Sequence, residues 1–207
     1  TNKKYDFYSY GQIIRNKIPD ISNFYILHEG LIATLDDELI EEDYDDIQEK
    51  KYTNIAQKGW IGISDKYWIT SLIPTREKEF KTTFDYKKKF RVNFITTEPL
   101  ELKENDTIEE TLQIIIAAKR VDVIDGYAKS LNIDKFDLAI DWGFLYFITK
   151  PLFYGIDYFF KLLGNYGLAI IAITVCIRLV FFPLANFSFR SMAKMKALQP
   201  EMVRLKE

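Results

Sequence analysis

From the start of the chain to about Val121, apolar and polar residues tend to alternate, the period of strands with one wet face. Tyr25, Leu27 and then Leu31 to Leu35 lead through Asp36 and Asp37 toward Ile40, which predicts a hairpin. Phe84 and Tyr86, then Phe90, Val92 and Phe94, alternate with charged or polar neighbours, and Leu112, Ile114 and Ile116 repeat the period. GWIGISDKYWITSLIP, Gly59 to Pro74, reads as core strand plus turn. The expected architecture is a mainly β domain, an antiparallel sheet or sandwich truncated at its beginning. Val121, Ile124, Ala128 and Leu131 then recur at helical spacing, so a short helix despite Gly126 is expected to close the domain near residue 139.

The pattern changes in kind beyond that point. Residues 140–165 are crowded with Trp142, Phe144, Tyr146, Phe147, Phe153, Tyr154, Tyr158, Phe159 and Phe160, and interrupted by Lys150, Pro151, Gly155, Asp157 and Lys161. An aromatic, Lys-edged, punctuated segment suits an amphipathic helix at the headgroup boundary better than a second membrane span. Residues 166–184 are different: GLAIIAITVCIRLVFFPL holds one charge and is long enough to cross about 30 Å of hydrocarbon with slight shortfall. Gly164 and Asn165 mark the turn into this transmembrane helix, and Pro183 is expected to mark its end. Residues 185–207 then begin a second helical segment, carrying Met192, Met195, Leu198, Met202 and Leu205 at spacings of three and four.

Charge gives this outline a direction. Asp36, Asp37, Glu38, Glu41, Glu42, Asp43, Asp45 and Asp46 crowd the first half, whereas Arg190, Lys194, Lys196, Arg204 and Lys206 follow the apolar block. The positive-inside rule puts the segment after Leu184 in the cytoplasm and residues 1–165 outside, which in a bacterium is the periplasm. The chain starts at Thr1 without a Met and stops at Glu207 inside a helix-compatible pattern, so an internal piece of a longer polypeptide is expected.

Candidate chemistry is sparse. One His and one Cys make a His/Cys metal site improbable, and neither a Gly-rich phosphate loop nor a Ser/His/Asp set can be assembled. No cofactor, no enzyme activity and no direct nucleic-acid recognition are therefore expected. The conspicuous residue is Arg178, because a guanidinium near a helix centre costs about 2.5 to 3.5 kcal/mol on insertion scales. Either it snorkels to the headgroups, or it faces a polar cavity made with further helices. The methionine stripe with its basic neighbours likewise has two readings, packing against a partner helix or contact with client chains, and its lysines and arginines suit anionic lipid.

Taken together, GWIGISDKYWITSLIP, DWGFLYFITKPLF from Asp141, GNYGLAIIAITVCIRLVFFPL from Gly164 and FRSMAKMKALQPEMVRLKE from Phe189 resemble, in order, the YidC/Oxa/Alb family of membrane protein insertases. The resemblance implies a periplasmic β-supersandwich, an interfacial helix, and the first of five conserved spanning helices around a hydrophilic groove in the bacterial inner membrane. Arg178 matches the family's groove arginine, which engages hydrophilic parts of an incoming chain while its apolar segment slides into lipid. The residues after Leu184 match the start of a cytoplasmic helical hairpin needed for activity. Implied partners are nascent membrane proteins, the Sec translocon (SecYEG and SecDF), the ribosome and membrane lipids. The supersandwich is also similar to sugar-binding and sugar-isomerising domains, but isomerising chemistry needs paired histidines and only His28 is present. The alternatives at this point are a single-span periplasmic ligand-sensing receptor, a glycan-binding membrane protein and a passive structural anchor, the last of which leaves the cost of Arg178 unexplained.

Overall fold

The computed structural model describes residues 6–18, 27–76, 78–100, 102 and 107–204. It divides into a β domain that ends at Asp141 and a helical unit that begins at Trp142. The β domain is a sandwich. Strands β1 (Tyr10–Arg15), β8 (Phe90–Thr96), β7 (Phe80–Tyr86) and β4 (Tyr52–Ala56) form one antiparallel sheet in that order; β3 (Glu38–Asp43), β2 (Gly30–Leu35), β5 (Gly59–Ser64), β6 (Trp68–Ile73) and β9 (Gln113–Ala118) form the other.

The predicted hairpin is β2 and β3, in register from Gly30 opposite Asp43 to Leu35 opposite Glu38. Its two-residue turn needs positive φ at both positions, and Asp36 and Asp37 supply it at 48° and 73°. The Asp36 carboxylate also accepts the backbone N–H groups of Gln57 and Lys58, 3.1 Å each, and so ties the turn to the start of β5. Tyr25 lies outside the described residues.

All six residues of β2 are buried, because the strand lies between two apolar layers. On one side Leu31, Ala33 and Leu35 join Ile61, Ile63 and Leu72 against Phe80, Phe84, Phe90, Val92 and Phe94 of the opposite sheet. On the other side Ile32, Trp60, Ile69 and Ile115 pack under Ile124 of α2 (Val121–Ser130) and Phe136 of a 3-10 turn (Phe136–Ala139). Trp60 and Phe136 meet edge to face at 5.2 Å. At about 25 cal/mol per Å² of apolar surface, this two-sided burial is the main source of the domain's stability.

Several findings differ from the sequence-based outline. Within β9 the buried residues are Ile115 and Ala117, whereas Ile114 and Ile116 are 61% and 69% exposed. Ile114 and Ile116 pair with Leu72 and Thr70 on the inter-sheet face, but five strands oppose four and β1 packs across β6, which leaves edge strand β9 outside the overlap. Inside the acidic run a short helix, α1 (Tyr44–Glu49), buries Tyr44 and Ile47, with Asp45 and Asp46 in its first turn where the helix dipole favours them.

The helical unit has α3 (Tyr146–Leu163) and α4 (Tyr166–Arg204). Helix α4 does not stop at Pro183. Its 39 residues run through the proline, which removes a single backbone hydrogen bond. Among the described residues, Tyr166–Met192 is the helix segment long and apolar enough to cross a membrane.

Two glycines separate backbone constraint from helix propensity. Gly59 has φ of +138°, and a Cβ there would stand 1.8 Å from the Thr34 carbonyl oxygen. Gly59→Ala is expected to destabilise the β domain by about 2 to 4 kcal/mol in urea melts. Gly126, inside α2 with open space around it, should give the opposite sign on Gly126→Ala, a gain of about 0.5 to 1 kcal/mol.

Candidate functional site

The helical unit is built around a tight turn. Gly164, at φ of +66°, takes the left-handed conformation that ends α3, and its N–H donates to the Phe160 carbonyl at 2.8 Å. Asn165 then caps α4, its side-chain oxygen accepting the Leu168 N–H at 3.2 Å. Across the turn the Phe160 and Tyr166 rings stack at 4.2 Å. Helix α3 folds back along α4: Gly155 approaches so closely that a Cβ there would stand 2.8 Å from Ile173 Cδ1. Burial follows this contact, with Ala169 fully enclosed and Ala172, Ile173 and Ile177 partly so on α4, and Leu152, Gly155, Ile156 and Phe159 partly so on α3.

This packing assigns the faces of α4. Arg178 comes nine residues after Ala169, and at about 100° per residue that places it on the opposite side of the helix, exposed and turned away from α3. Among the described residues it has no ion-pair partner. It stands twelve residues past Tyr166, about 18 Å along the axis, which is beyond the midplane of about 30 Å of hydrocarbon. Thr174 lies one turn earlier on the same stripe, its hydroxyl donating to the Ile170 carbonyl at 2.7 Å. Gly167, Ile171, Phe182 and Ala185 complete the stripe. The sequence signal for Thr174 is its spacing of four from Arg178.

The basic and methionine-bearing segment continues the same helix. Arg190, Met192 and Met195 are exposed, and Lys194, Lys196 and Met202 lie on the helix with them. At about 1.5 Å per residue α4 is about 58 Å long, roughly twice the hydrocarbon thickness. One rod therefore carries both the apolar span and the cationic end.

In the β domain, titratable groups gather in two places. Arg15 makes a paired ion contact with Asp65 and donates to the Tyr44 hydroxyl at 3.0 Å, linking β1 to the β5–β6 turn and α1; burial pushes the Tyr44 hydroxyl up to about 12. At the helix-covered face, His28 Nδ1 is 3.3 Å from Asp43 and Nε2 is 3.2 Å from the Leu31 carbonyl. Nearby, burial pushes the Glu41 carboxyl above the usual carboxylate range, an effect that His28 and Lys119 oppose and Asp141 adds to. Burial likewise lowers Lys119, whose ammonium donates to Ser64 Oγ at 2.8 Å. Both ring nitrogens of His28 are taken up by these local contacts, and among the described residues no group of His, Cys, Asp and Glu has the arrangement of a metal site.

Comparison with known proteins matches residues 1–155 to the YidC periplasmic domain and residues 158–207 to the 60Kd inner membrane protein family. The chain is 73% identical over 207 residues to the membrane protein insertase YidC of Pelagibacter ubique, covering 100% of this chain and 37% of that protein. It is 43% identical to the insertase YidC of Rickettsia prowazekii, covering 100% of this chain and 38% of that protein, and 41% identical to that of Mesorhizobium japonicum, covering 97% and 34%. The chain thus spans little more than a third of the length of these relatives. A ligand-sensing receptor or a glycan-binding protein finds no support among them.

The raised Glu41 carboxyl has a thermodynamic consequence. Because the folded domain binds that proton more tightly than the unfolded chain does, the associated stability is complete below the ordinary carboxylate range and is lost as pH rises through the folded value. Glu41→Gln should therefore melt at a higher temperature than the parent at neutral pH, with the difference vanishing below about pH 4. A pH series of thermal melts checks this, and a variant that melts lower than the parent at neutral pH would contradict it.

Proposed function

The chain belongs to the YidC family of membrane protein insertases, and from that premise we propose that it supplies the periplasmic domain and first core helix of such an insertase. The family is one of inner membrane proteins, and α4 carries the span. In this reading residues 1–165 are periplasmic, residues 166–184 cross the bilayer and residues 185–207 are cytoplasmic, an orientation supported by Arg190, Lys194, Lys196 and Arg204. Helix α3 stays at the water–lipid boundary, where Lys150 and the Asp157–Lys161 pair at 2.6 Å remain hydrated and the aromatic rings meet headgroups.

One observation carries the functional reading: Arg178 lies on the side of α4 that α3 leaves uncovered. Snorkelling explains a lone arginine on a lipid-facing helix; membership of an insertase family favours a polar surface on the face that α3 leaves uncovered. Facing a water-filled groove made with further helices, the guanidinium attracts the hydrophilic, especially acidic, part of a nascent membrane protein. Transfer of the client's apolar segment into lipid then supplies the driving force, with no nucleotide, metal or covalent step. The protein acts as an insertase and chaperone rather than as an enzyme. Met192, Met195 and Met202, with Arg190, Lys194 and Lys196, form a cytoplasmic surface for clients or partner helices, since thioethers adapt to varied apolar shapes. The Sec translocon and the ribosome are the partners this role implies.

In the full-length protein reconstituted into liposomes, Arg178→Ala is expected to reduce insertion of clients with acidic tails by about fivefold or more, with Arg178→Lys retaining most of it. Undiminished insertion of such clients by Arg178→Ala would remove Arg178 from the mechanism.

A further inference from the structure

We propose that the β7–β8 tip of the β domain docks on a bilayer surface rich in anionic phospholipid headgroups, through Lys17, Lys87, Lys88 and Lys89. The inference asks only that the chain sits in a bilayer, as its family of inner membrane proteins does, and not that it inserts clients. Its failure would leave the reading of Arg178 standing.

Strands β7 and β8 pair from Phe80 opposite Thr96 to Tyr86 opposite Phe90, and the turn between them is Lys87, Lys88 and Lys89, all exposed. Lys88 has φ of +64°, a left-handed position that Gly or Asn takes at less cost, so a lysine stands there against local preference. Strand β1 runs beside β8 and ends with Arg15 opposite Phe90. Continued past that pair, the antiparallel register brings exposed Lys17 alongside the lysine turn. Like charges so placed repel one another.

Nothing within the domain neutralises them. Asp65 is taken by Arg15 and Asp85 by Arg91, and among the described residues none of the four lysines has an ion-pair partner. The carboxylates of α1 share this end, but Lys50 and Lys51 follow them directly. Up to Asp141 the chain has 27 Asp and Glu against 20 Lys and Arg, so a cationic tip departs from the character of the domain. At the other end of the sandwich the corresponding two-residue turn is Asp36 and Asp37, of opposite sign.

The neighbours of the tip favour lipid over a soluble anion. Tyr67 and Trp68, 66% and 57% exposed, lie at the same end, because Asp65 beside them holds Arg15. Exposed Trp and Tyr rings partition to the headgroup level, where lysines meet phosphates, and each lysine near an anionic surface adds about 1 kcal/mol, or about fivefold.

Lipid photo-crosslinking of the full-length protein in nanodiscs tests this, with a benzoylphenylalanine probe at exposed Asn16 and a control probe at Leu39, at the opposite end of the sandwich. With phosphatidylglycerol in the bilayer, position 16 should form lipid adducts about tenfold or more above position 39, and the excess should collapse in phosphatidylcholine alone. Lys87→Gln, Lys88→Gln and Lys89→Gln together should remove most of the adducts, whereas Lys87→Arg, Lys88→Arg and Lys89→Arg together should retain them. The side chains are exposed, so both triple variants should melt with the parent. The proposal is overturned if position 16 yields no more adducts than position 39 in phosphatidylglycerol, which would leave the lysines to solvent or to a soluble anion. It is equally overturned if phosphatidylcholine alone gives the same adducts, if the Gln variant crosslinks as the parent does, or if the Arg variant loses the adducts.

Discussion

A charged guanidinium in hydrocarbon needs water or a partner, and that constraint bears on the whole helical unit of this chain. The apolar run from Tyr166 must be helical, because in lipid every backbone polar group has to find its partner within the segment. Once it is helical, spacing alone decides which residues share a face. Helix α3, turned back by Gly164 and Asn165, occupies the face of Ala169 and Ile173. What α3 leaves uncovered is the stripe of Thr174 and Arg178.

The β domain answers a different physical problem. Its centre, β2, is apolar on both sides and is sandwiched between the opposite sheet and the α2 layer, so the domain behaves as a body with two cores. Its ionisable groups serve that body: Arg15 with Asp65 joins the sheets, Asp37 pairs with Lys58 at the hairpin, and both nitrogens of His28 are engaged locally.

Much of this was legible in the chain itself. The hairpin at Asp36 and Asp37 and the apolar helix follow from period and turn chemistry, whereas Gly59 to Pro74 reads as one core strand plus turn and holds two paired strands, β5 and β6. The orientation of β9 was not, because QIIIAA is apolar on both faces and tertiary packing decides which isoleucines are covered: Ile115 lies under α2, while Ile114 and Ile116 stay exposed. Helix α1 was hidden in a run of carboxylates whose two apolar contacts, Tyr44 and Ile47, are spaced by three. Pro183 suggested a stop, yet one lost hydrogen bond does not end a 39-residue helix. Arg178 stood out as the single charge in its run, whereas the face it occupies depends on where α3 packs, which is a tertiary fact.

The most direct test of the central claim is photo-crosslinking in cells, with a probe at position 178 of the full-length protein, a stalled nascent membrane protein as target and position 173 on the opposite face as control. The account predicts crosslinks from 178 to the polar segment of the client and few from 173. Labelling of lipid alone from position 178 would make Arg178 a snorkelling residue and contradict a client-facing groove.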